Sequence, residues 1–199
     1  YSDTNMLAGS PGAYGETTNN IAKDYIIEYD TVTRRNRYVF VDIFRVYTDV
    51  DTSNTTIGLY NFHISTINSE SCGVRVGMDV VDVDGTTIGV VTAVVYDETI
   101  GDDGGNLNRW KISTNVPHSL NDNDTITFEA PKILDFSKHR LITGINILGD
   151  SIYWTDDATE PKRIHIPRSI AGTGGLKEID DADELAVFNG DTDFFHTRL

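Results

Sequence analysis

Over residues 71–130 the chain repeats one pattern: a β-branched run, then a cluster of Gly, Asp or Asn, about every 8 to 12 positions. "VRVGMDVVDVDGTTIGVVTAVVYDE" sets Asp84-Gly85 between two such runs, the residue pair that most strongly marks a hairpin. "RWKIST" (109–114) reads as a further strand. "SLNDNDTITFEAP" supplies an Asn/Asp turn and a last strand before Pro131. Short strands at this spacing describe a small antiparallel barrel or sandwich. We therefore expect 71–130 to form a β-module inserted into a main β-domain built from 21–70 and 131–199.

The flanking segments read as β as well. In "DYIIEY" Tyr25, Ile27 and Tyr29 alternate with Asp24, Ile26 and Glu28, which suits a half-buried strand. "YVFVDIFRVY" (38–47) is β-branched and aromatic, with Asp42 and Arg45 its only charged residues, so it should be covered on both faces for much of its length. Residues 1–20 are rich in Gly, Ser, Thr and Asn and read as an extended arm. Ile179, Ala182, Leu185 and Ala186 share one face and predict a helix over 178–188. No repeat of 30 to 50 residues is present, which counts against a complete propeller. The expected class is all-β, mainly antiparallel, with at most one or two short helices.

Charge and motifs narrow the function. A formal charge of −15 on 199 residues repels nucleic-acid phosphate and anionic lipid, so neither is expected as a broad partner. No apolar run reaches the length of a membrane helix, and no signal peptide is visible. The chain opens at Tyr1 and stops in "DFFHTRL", which reads as the start of a strand; a piece of a longer protein is the expectation. The single Cys72 cannot form an internal disulfide and reads as a small buried hydrophobe.

The five histidines are scattered, with none in a close ligand pair, and neither a G-x-S-x-G elbow nor a phosphate loop occurs. "DVDGTT" (82–87) fails as a calcium loop because Val91 stands where a bidentate glutamate is required. "NDND" (121–124) and "GDDGG" (101–105) read as turns. No catalytic residue, metal or cofactor is expected, and the chain does not read as an enzyme.

One stretch is more distinctive than the rest. "GDSIYWTDDATEPKRIHIPR" (149–168) packs an aromatic pair, an acidic turn, Pro161 and basic residues into twenty positions. Turns at Gly149-Asp150 and over "TDDATEP" would set a three-strand meander, with Tyr153 and Trp154 on opposite faces. Asp156 can accept hydrogen bonds from its own turn, and Pro161 fixes the exit into "KRIHI", a strand that should end before Pro167. With Asp84 and Gly85, residues Asp150, Asp156 and Pro161 form the expected structural turns.

"YWTD" alone matches receptor propellers, but it occurs once here and those proteins repeat it in every blade. The wider block 141–173, with Thr143, Gly144, Asn146, Asp150, Trp154, Thr155, Asp156, Glu160, Pro161, Lys162 and Ile164, resembles a segment of large structural proteins in the neck and tail of short-tailed and crAss-like bacteriophages. "RRNRYVFVDIFRVY" and the "VGMDVVD…ITF" module look like tail-protein β-segments too. The resemblance implies a virion location, copies of the chain and other tail or neck proteins as partners, and no catalytic residues to carry over.

On that reading the contact candidates are the basic residues Arg34, Arg35, Arg37, Lys162, Arg163 and Arg168, set to meet the acidic face of a sister copy, and the aromatic pair Tyr153 and Trp154, one to fill the core and the other to meet a neighbour. The alternative is a carbohydrate- or receptor-binding module on the particle, taking a host-surface glycan on an exposed Trp110 or Trp154.

Overall fold

The computed structural model describes residues 2–3, 20–51, 60–64, 72–96, 110–137, 139–173 and 196–198. The chain is all-β. Its strands are β1 (Ser2–Asp3), β2 (Asn20–Asp30), β3 (Arg35–Asp51), β4 (Asn61–Ile64), β5 (Asp79–Val81), β6 (Thr87–Tyr96), β7 (Trp110–Thr114), β8 (Thr125–Glu129), β9 (Gly144–Leu148), β10 (Ser151–Thr155) and β11 (Lys162–His165). One helix, α1 (Ile166–Gly172), follows β11. The helix expected over 178–188, the 101–105 turn and most of the N-terminal arm lie outside the described residues. Of that arm, Ser2 and Asp3 pair with Asp24 and Lys23 of β2.

The chain divides into two compact units. One takes Thr4–Ala22 and Ile43–Pro131, the other Tyr1–Asp3, Lys23–Asp42 and Lys132–Leu199. In the first, six antiparallel strands follow one another in the order β3, β4, β7, β6, β5, β8, and β8 pairs back onto β3. This is the small barrel read from the turn spacing, but its boundary differs. The module expected at 71–130 supplies only β5 to β8; closure needs β3 between β4 and β8, so the stretch of chain that builds the barrel runs from Ile43 to Pro131.

Register shifts between Val91 and Ala93 and between Val80 and Val81 bend β6 and β5, as closure of a small barrel requires. Inside, Phe62 and Phe128 stack at 6.2 Å, with Met78, Ile112, Ile126 and Val46 fully buried around them. His118 meets the Phe62 ring edge-on at 4.9 Å, and burial lowers its pKa.

The β5–β6 hairpin carries Asp84-Gly85 in its turn, within a loop of five residues, since Val81 pairs with Thr87. The Asp82 carboxylate sets that loop by accepting from the Asp84 and Thr86 amides at 3.0 and 2.8 Å, and Gly85 takes φ +80°. The "NDND" turn is built alike: Asp124 accepts from the Asn121 amide at 2.6 Å.

The second unit has a core of Phe40, Leu134 and Trp154, flanked by Ile26, Phe136, Ile152 and Ile164. Two buried carboxylates pin the segment that follows Pro131. Asp42 accepts from the Ile133 and Leu134 amides at 2.6 and 3.0 Å; Asp24 accepts from the Phe136 amide at 2.9 Å and lies 3.5 Å from Lys132 Nζ. Alternation would place Asp24 on a polar face, yet it is fully buried because these amides need an acceptor.

β11 ends at His165, before Pro167, as the sequence suggests; beyond it Pro167 stands within the first turn of α1, a helix not foreseen, where its missing N–H costs nothing. His165 caps that helix, its Nδ1 accepting from the Arg168 amide at 3.3 Å. Thr173 closes it by donating to the Ser169 carbonyl at 2.7 Å.

Candidate functional site

The block 141–173 folds as the expected meander, in the order β11-β10-β9. Its first turn has two residues, since Leu148 pairs with Ser151. Gly149 has φ +56° and Asp150 has no positive φ, the pattern of a type II′ hairpin whose twist suits the flanking strands. The second turn is held by one carboxylate. Asp156 Oδ1 accepts from the Ala158 and Thr159 amides at 3.1 and 2.8 Å and from the Thr159 hydroxyl at 2.9 Å. Asp157 then takes φ +59°, and Pro161 stands just before β11.

The Thr159 amide, foremost among these donors, holds the Asp156 carboxyl far below the usual carboxylate range. A depressed folded pKa adds stability that is present above the unfolded value, roughly 4, and is lost as pH falls through the folded one. In an NMR pH titration the Thr159 amide should therefore hold its native shift through pH 4. Movement centred near pH 4 to 5 would contradict the turn described here.

The two faces of this sheet differ. Trp154, Ile152 and Ile164 share the face that packs on the core, opposite Ile145 and Ile147 of β9. Trp154 is 6 % exposed. Ile145 and Ile147 are 67 % and 62 % exposed, so the core stops short of them, and Leu148 is 69 % exposed on the other face. Leu141 and Ile142, just before β9, are also exposed.

Beside this ridge lies a cleft of about 530 Å³, floored by Ile26, Phe136, Ile142, Ile152 and Trp154. A charged rim bounds it, in which Arg140 lies 3.6 Å from Asp135 and 3.5 Å from Asp156, and Lys162 lies 3.9 Å from Asp135. Among the described residues no group of His, Cys, Asp and Glu is arranged to hold a metal ion.

The contact candidates do not form one surface patch. Trp154 is in the core. Tyr153 is half-buried on the opposite face, with the Arg163 guanidinium 5.5 Å from its ring centre. Arg163 also donates to Ser151 Oγ at 3.2 Å, and Lys162 donates to Thr159 Oγ1 at 3.1 Å. Arg168 is exposed on α1. In the turn after β2, Arg34 is exposed with φ +56°; Arg37 pairs with Glu28 at 2.6 Å, and the Arg35 side chain lies outside those described.

The exposed aliphatic ridge was not among the candidates. Its sequence signal was present in "LITGINIL", an uncharged run with large aliphatics on both faces of one strand. No protein-family model matches the chain, and no curated protein or solved structure does either.

Proposed function

We propose that the chain is a structural subunit of a bacteriophage particle, a β-rich building block of the tail or neck that works through contacts with sister copies and neighbouring virion proteins. One observation carries this reading: the block that resembles phage neck and tail proteins presents five large aliphatic side chains uncovered, Ile145, Ile147 and Leu148 on its outer strand and Leu141 and Ile142 just before it. Uncovered aliphatic side chains gathered along one edge strand mark a protein contact site. The rigid turns at Gly149 and Asp156 suit a module whose task is to hold a shape. The glycan alternative loses the Trp154 platform, since that ring is buried.

The test is electron microscopy of native phage particles decorated with an antibody raised against this chain. Label at the tail or neck supports the proposal. Particles that carry the chain nowhere, or a purified chain that cleaves a glycan, overturn it.

A further inference from the structure

We propose that β9 is a self-complementary edge: two copies of the chain pair their β9 strands antiparallel across a two-fold axis, joining two three-stranded sheets into one of six strands. The inference deepens the reading of the chain as a subunit that acts through self-contact, and rests on it.

The backbone supplies the first argument. Among the described residues β9 pairs with β10 alone. In a hairpin with a two-residue turn the closing pair, Leu148 and Ser151, is hydrogen-bonded, and bonded pairs then alternate with unbonded ones. Asn146 therefore bonds to Tyr153, while Ile145 and Ile147 turn their amides and carbonyls outward. An antiparallel partner centred on Asn146 sets Ile145 of each copy against Ile147 of the other. Every outward group of those two residues then finds a match, and the two Asn146 side chains face each other at the axis.

Natural edge strands are shielded by charge, proline, bulges or covering segments. Residues 144–148 hold no charge and no proline, and their register with β10 runs without a shift. Like charge also selects the face. On a chain of net charge −15, a second copy is repelled except where carboxylates are lacking, and 141–148 has none.

The five aliphatics expose on the order of 600 Å² per copy, a ceiling on the apolar area an edge contact covers and below the roughly 800 Å² per partner of a standard interface, so the backbone ladder is the main contact. Pairing would lay Ile145 and Ile147 of both copies in one strip, continuous with Ile152 and Trp154 behind them.

The test uses disulfide trapping in the full chain. Cys72 is buried and its thiol is pushed up to about 12, so it does not compete. Asn146→Cys places two thiols across an unbonded pair, within reach of a disulfide; Leu148→Cys places its thiols several residues apart. Under diamide we expect N146C to cross-link as a dimer at least about tenfold faster than L148C. Ile145→Lys/Ile147→Lys, exposed positions whose fold is checked by circular dichroism, should abolish the dimer. Oligomers that persist in I145K/I147K, or that trap N146C and L148C equally, overturn the β9 pairing and leave self-contact standing. A chain that stays monomeric without oxidant and traps neither variant overturns both, as does association only with a strand of another protein.

Discussion

Trp154→Ala should lower the unfolding free energy by about 3–5 kcal/mol, the usual cost of emptying a buried aromatic site. The ring is 6 % exposed, packs with Phe40 and Leu134, and lies 5.9 Å from the Phe136 ring. It is the anchor that attaches the meander to its unit, so its loss removes apolar burial and leaves a cavity that flanking isoleucines cannot fill. Urea unfolding followed by far-ultraviolet circular dichroism checks this, with the midpoint expected about 1–2 M lower. Trp154→Phe should recover more than half of the loss. A change below about 1 kcal/mol would mean that the side chain is not a core anchor.

Asp42→Ala should be comparably severe, about 3–5 kcal/mol, for a different reason. It strands the part-buried Ile133 amide and the buried Leu134 amide, which have the fully buried Asp42 carboxylate as acceptor, and removes the carboxylate that lies 3.9 Å from His196. Asp42→Asn keeps an acceptor oxygen and should cost roughly half as much, because hydrogen bonds to a charged group are worth about twice neutral ones. Hydrogen exchange at Ile133 and Leu134 reads the site directly. Accelerated exchange in D42A with protection retained in D42N is expected, and equal protection in both would refute the clamp.

The residues that made the fold legible act locally. β-Branched runs, the Gly149-Asp150 turn and the Asx turn at Asp156 depend on neighbours within a few positions, so sequence alone marks the strands and the meander. Asp24 and Asp42 escaped that reading because the amides they serve lie 112 residues along the chain for Asp24 and 91 and 92 for Asp42. The barrel boundary was misplaced for a similar reason: β8 closes onto β3, and nothing within 71–130 records it. Helix α1 was hidden behind Pro167, which reads as a strand terminator until His165 is seen to cap a turn.

The contact face shows the same limit. Aromatic and basic residues drew attention to Trp154, Lys162 and Arg163, but the fold spends Trp154 on the core and the two cations on Thr159 and Ser151. Alternation says which side chains share a face and not how far the core extends beneath them. That is why Ile145 and Ile147, on the same face as Trp154, end up uncovered.

The self-contact proposed for this chain turns on whether it recognises itself in solution. Sedimentation velocity of the unmodified protein from about 1 to 100 µM tests that directly, because self-association must respond to mass action. A boundary that shifts with concentration from the 22.1 kDa chain to a species of twice that mass is the expected result. A single 22.1 kDa species across the whole range would contradict it.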